Sequence, residues 1–149
     1  MSLTKGAANC RGFSLIEVIV ALAIVAALAT FAIPSYRRHV ERGHRLSAVA
    51  ALYRAAQYVD AFGETLPAAL PDGLSRAPET GVAVYWLKMT AEDAHGGYAL
   101  EASPATNGAM RDDACGVFVL YADGTRENRA MNGAAGQQAS GVGACWLMN

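Results

Sequence analysis

The sequence has little of what catalysis or metal binding requires. Its three histidines, His39, His44 and His95, have no cysteine or carboxylate at metal-ligand spacing, and His39 and His44 sit among arginines. No nucleophile motif and no glycine-rich phosphate loop occurs in the 149 residues. The chain is therefore not expected to be an enzyme, to hold a cofactor or to bind a metal. Charge of one sign is also scarce, with 12 Lys and Arg against 13 Asp and Glu, a net charge of −1. From Leu46 onward 6 basic side chains face 11 acidic ones, so bulk charge argues against strong non-specific binding to nucleic acid. Cysteine is limited to Cys10, Cys115 and Cys145.

The sharpest scarcity is local. Between Phe13 and Ile33 the one charged residue is Glu17. As a helix rising about 1.5 Å per residue, this run is roughly 30 Å long, the thickness of a bilayer hydrocarbon core. It also accounts for much of the mean hydropathy of +0.19. A carboxylate inside such a span costs about 2.5–3.5 kcal/mol even on mild insertion scales, so Glu17 calls for a reason. Upstream lies a short basic leader with Lys5 and Arg11, ending in Gly12 directly against the apolar run. A secretory signal has its small-residue cleavage site after the hydrophobic stretch. Here the plausible cut lies before it, between Gly12 and Phe13, which would make Glu17 the fifth residue of the mature chain.

Gly12-Phe13-Ser14-Leu15-Ile16-Glu17 resembles the class III leader of type IV pilins, with Ser14 where threonine is commoner. The resemblance implies that a membrane-embedded prepilin peptidase cuts after Gly12 and that Phe13 is then N-methylated. It also implies that Glu17 pairs with the Phe13 α-amino group of a neighbouring subunit, turning two costly buried charges into one pair. A simple positive-inside count leaves topology ambiguous, because Arg37, Arg38, Arg42 and Arg45 oppose Lys5 and Arg11. The leader motif implies a cytoplasmic N-terminus and a head outside.

Pro34 ends the apolar run and is expected to kink or loosen the helix there. Beyond it, Ser35 to Phe62 continues as helix, with an apolar stripe at Leu46, Val49, Tyr53 and Ala56, widened by Leu52 and Val59. Gly63 is placed as its stop. From 64 to 81, Pro67, Pro71, Gly73, Pro78 and Gly81 punctuate an irregular connector. Three strands are then expected at Val82–Met89, Tyr98–Ala102 and Val117–Tyr121, the last ending in the Asp123-Gly124 turn signal. A polar returning strand over Arg126–Met131 would be the fourth. The fold class is α+β: a long N-terminal helix, transmembrane in its first half, packed on a 3–4-stranded antiparallel sheet. Its divisions are a leader at 1–12, the transmembrane and assembly helix at 13–34, its amphipathic second half at 35–63, a loop at 64–81, and the sheet with its C-terminal loop at 82–149.

The later half resembles the PilE/ComP-like minor pilins at Tyr98-Ala99-Leu100-Glu101-Ala102, Asp113-Ala114-Cys115-Gly116, Asp123-Gly124 and Cys145-Trp146. With Cys10 lost in the leader, Cys115 and Cys145 remain, an even number in an exported head and the expected disulfide. It would close the glycine-rich stretch from Asn132 to Gly141. Some related pseudopilins bind calcium, but Asp112, Asp113 and Asp123 lack a regular oxygen-ligand spacing. Some ComP-like pilins bind DNA. The candidate contacts here are Lys88, Arg111, Arg126 and Arg129, opposed by Asp112, Asp113, Asp123 and Glu127, and ordinary paired surface charge is the favoured reading. The expected role is a structural subunit of a type IV pilus, most simply a minor pilin, for adhesion, twitching motility or DNA uptake. Its partners would be other pilin subunits, the prepilin peptidase and the inner-membrane assembly platform. A type II secretion pseudopilin and a DNA-receptor pilin for competence are the alternatives.

Overall fold

The structure, a computed structural model, describes residues 12–63, 65–131 and 142–146. One helix, α1, runs Leu15–Asp60 and continues through Pro34. The chain divides into two units, Met1–Arg38 and His39–Asn149.

In the first unit the helix presents its apolar side chains outward. Phe13, Leu28 and Phe31 are all highly exposed, and the apolar window has no share of its residues buried within the chain. The side chains that water would reject are left for lipid or another protein. Thr30, a polar residue near the far end of the span, donates its hydroxyl to the Ala27 carbonyl at 2.7 Å, so it brings no unsatisfied donor into an apolar medium.

The second unit is a two-layer α+β head. Five antiparallel strands lie in sequence order: β1 Arg76–Ala77, β2 Tyr85–Glu92, β3 Gly97–Pro104, β4 Val117–Tyr121 and β5 Arg126–Arg129. A four-residue helix, α2, follows at Val142–Cys145. The strand count corrects the expectation of three or four. The extra strand, β1, lies inside the segment read as an irregular loop, because two residues among prolines and glycines carry no period-two signal. It pairs Arg76 with Trp86 and Ala77 with Tyr85. Strand β2 also starts three residues later than expected, at Tyr85, and runs on to Glu92, while β3 extends from Gly97 to Pro104.

Alternation sorts the sheet into two faces. Tyr85, Leu87, Leu100, Ala102, Phe118 and Leu120 face the helix and form the core with Ala48, Ala51, Leu52, Ala55 and Val59. Each large apolar side chain so buried contributes about 1.5–3 kcal/mol. The helix stripe differs in part from the expected one. Leu52 and Val59 are buried and Val49 and Ala56 pack against the core as expected, but Leu46 and Tyr53 are exposed, and Ala48, Ala51 and Ala55, at i, i+3 and i+7, let the helix approach the sheet closely. Gly63 does close the helix end: its φ is +66° and its amide bonds the Asp60 carbonyl.

Candidate functional site

The N-terminal end of the helix comes first along the chain. Gly12, Phe13 and Ser14 precede α1, and the Val18 amide bonds the Ser14 carbonyl at 3.3 Å, so Glu17 stands in the first helical turn. There a carboxylate meets the positive end of the helix dipole, which partly offsets its cost in an apolar environment. Of the expected leader 1–12, residues 1–11, with Lys5, Cys10 and Arg11, lie outside the described residues.

At the other end of the chain, Cys115 and Cys145 are joined by a disulfide, their Cα atoms 5.6 Å apart across 30 positions. The expected loop from Asn132 to Gly141 lies outside the described residues. The bridge is built into the core. Cys145 and Trp146 are buried, and the Trp146 ring meets Phe118 edge-on at 5.5 Å, which in turn meets Tyr85 at 5.9 Å. Asn128, fully buried on β5, donates its amide to the Cys115 carbonyl at 2.9 Å. The next residue, Gly116, has φ +58°, and a Cβ there would lie 2.2 Å from the Arg129 carbonyl oxygen. Only glycine lets the chain leave the bridge at this angle.

The four candidate DNA contacts are not gathered into one patch. Lys88 and Arg129 converge on the outer face of the sheet, but on a carboxylate: Glu101 lies 3.0 Å from Lys88 and 2.7 Å from Arg129. Arg129 also donates to the Tyr121 hydroxyl at 2.7 Å, which donates to Glu127 at 2.6 Å. This network roofs Val119, which is buried on that face. Arg126 projects to the opposite side of β5, its guanidinium 5.8 Å from both the Tyr53 and Trp146 ring centres. Arg111 pairs with its neighbour Asp112 in the β3–β4 connection.

Sequence reading missed the most buried ionic tie. The Asp113 carboxylate, almost wholly enclosed, accepts both Nε and Nη2 of Arg45 from α1, and the Tyr85 hydroxyl at 3.4 Å. The partners are 68 positions apart, beyond any local pattern. The hydrogen bond from Arg45 to Asp113 raises the guanidinium pKa, and burial pushes the Tyr85 phenol up as well. Burial raises Tyr98 too, aided by its hydrogen bond to Asp60 at 2.6 Å. Asp123, read with Asp112 and Asp113 as an acidic group, closes the β4–β5 turn instead. It accepts the Thr125 amide, which lowers its pKa, and pairs with His95 at 3.1 Å. Asp113 and Asp123 are thus already committed to partners within the head.

The family model described as type IV minor pilin ComP, DNA uptake sequence receptor, matches residues 34–119, more than half of the chain. The chain belongs to the ComP family of type IV minor pilins. The prokaryotic N-terminal methylation motif matches residues 7–33 of the same chain. A curated relative, the fimbrial protein of Dichelobacter nodosus, is 28% identical over 124 residues, 80% of this chain and 71% of its own. Among solved structures, a type IV pilin from Shewanella oneidensis aligns with a TM-score of 0.41 and 19% identity, covering 67% of this chain and 97% of that one. This pilin is a structural subunit of a type IV pilus, anchored by an apolar helix that bears the pilin methylation motif. The family is one of pilus subunits.

Proposed function

We propose that this minor pilin is cut between Gly12 and Phe13 by a prepilin peptidase and enters the pilus through its helix. Phe13 would be methylated at its new terminus, with the N-terminus cytoplasmic and the head on the far side of the inner membrane before assembly. The observation that carries the reading is Glu17. It is the single charge in the apolar run 13–33, none of which is buried within the chain. A neighbouring subunit's Phe13 α-amino group supplies the counter-charge, and the pairing sets the stagger between subunits. Segment 13–34 then forms the filament core, 35–63 carries the head, and the inner-membrane assembly platform inserts the subunit. A Glu17→Ala variant is expected to insert in the membrane and be cleaved normally but to be depleted from sheared filaments. Normal incorporation of that variant would contradict the pairing.

The DNA-receptor reading rests on the family's description. The head geometry gives it less support, because Lys88, Arg111 and Arg129 are each held by a carboxylate and Arg126 lies against two aromatic rings. If the four did contact phosphates, affinity for duplex DNA would fall steeply with salt, with a log–log slope of about −0.9 per contact. Binding that is absent or insensitive to salt would end the reading.

A further inference from the structure

The outer face of the sheet carries one aromatic residue that the ion-pair network does not cover. Strand register places Arg76, Trp86 and Ser103 side by side across β1, β2 and β3. The next row holds Lys88, Glu101, Val119 and Glu127, where the charges close over the valine. Trp86 lies beyond that roof and is 53% exposed. An isolated surface tryptophan would mean little. This one forms the wall of a cavity of about 330 Å³, lined also by Asp72, Gly73, Ser75 and Arg76.

The lining is held in place from several directions. Ser75 donates its hydroxyl to the Asp72 carbonyl at 2.9 Å, and its own carbonyl accepts the Leu87 amide at 2.8 Å. Arg76 Nε donates to the Glu79 carbonyl at 3.1 Å, and the Glu79 carboxylate is drawn toward α1 by Arg54 at 2.7 Å. Such a site needs little rearrangement to accept a ligand, which lowers the entropy cost of binding.

We propose that this cavity is a binding subsite for a neutral sugar ring. The C–H face of a pyranose carries a weak positive polarisation and lies well against the electron-rich face of an indole. Its hydroxyls need both acceptors and donors at the rim, which the Asp72 carboxylate, the Ser75 oxygen and the Arg76 guanidinium supply. The charge of the lining decides against a polyanion. One carboxylate and one guanidinium share the cavity, so a nucleic acid stacking a base on Trp86 would bring its phosphates beside Asp72 with little net attraction. The subsite is independent of the Glu17 pairing and of the four cations on the rest of the head.

The test uses the full chain in a detergent without a sugar headgroup, such as an alkyl dimethylamine oxide. Tryptophan emission is followed during titration with galactose, glucose, N-acetylglucosamine and N-acetyllactosamine, and separately with an oligothymidylate. The expected result is a saturable change with at least one of the neutral sugars. It should be lost in Trp86→Phe, whose remaining Trp146 is buried, and the affinity should fall about tenfold or more in Asp72→Ala. No change with any of the four sugars, or a change that persists in Trp86→Phe, overturns the proposal. A response to the oligothymidylate alone also overturns it, in favour of base stacking. Circular dichroism of both variants confirms that the fold is retained, as exposed positions require.

Discussion

Replacing Cys145 with serine should release the largest constraint on the head. The bridge spans 30 positions. On the chain-entropy relation, opening a loop of that length costs about 3.6 kcal/mol at 25 °C, because the unfolded chain regains the freedom the bridge denied it. For a head of this size each kcal/mol moves the melting temperature by about 4–8 °C, so the shift should be roughly 14–29 °C. The structure also says where the loss will be read. Trp146 follows Cys145 directly, is buried, and packs edge-on against Phe118. Its emission therefore reports the release of the C-terminal segment from the core. In a Trp86→Phe background Trp146 is the sole tryptophan, since the chain has two. The assay is thermal and urea unfolding of the full chain in micelles, oxidised against Cys145→Ser, followed by that emission. A shift below about 5 °C would refute the reasoning: it would mean that the unfolded chain is restrained by something other than the bridge.

Three further outcomes follow from the same head. Gly116→Ala should cost about 2 kcal/mol or more in urea unfolding, because its Cβ would strike the Arg129 carbonyl at a positive φ; a change under about 0.5 kcal/mol would contradict this. Asp113→Ala should cost about 2–4 kcal/mol by stranding Arg45 and the Tyr85 hydroxyl, and Asp113→Asn less, since it keeps an acceptor; equal stability of all three chains would show the tie to be dispensable. On the alkaline side, Tyr85, Tyr98 and Tyr121 all have raised pKa values in the folded chain, chiefly through burial. Their contribution is present in full below the ordinary phenol value near 10 and is lost as pH rises through the folded values. Tyrosinate absorbance should therefore show these three of the six tyrosines ionising late, together with unfolding; all six titrating at the ordinary value in a folded chain would contradict it.

Much of this molecule was legible in its sequence, and the limits have physical causes. The apolar run, Glu17 and the Gly12-Phe13 junction are contiguous, so period and composition reveal them directly. The disulfide was legible because a cut after Gly12 would leave Cys115 and Cys145 as an even pair, and the two are bonded. Strand β1 was hidden because two residues cannot show an alternation, and its pairing with Tyr85 and Trp86 is a tertiary fact. The helix stripe was legible at Val49, Leu52, Ala56 and Val59 but not at Leu46 and Tyr53, which are exposed, while Ala48, Ala51 and Ala55 are buried because their small size allows close packing. The Arg45–Asp113 tie joins a helix to a loop far along the chain, and charge patterning along one element cannot reveal it. The four candidate cations were identifiable as cations, yet their partners Glu101, Asp112 and Tyr53 emerge from strand register, one chain neighbour and helix packing.

The most direct test of the central claim is the intact mass and N-terminal sequence of the protein recovered from sheared surface filaments and from membranes of the same cells. The account predicts a chain beginning at methylated Phe13 in the sheared fraction. A chain that keeps residues 1–12 in a host with active prepilin peptidase would contradict it.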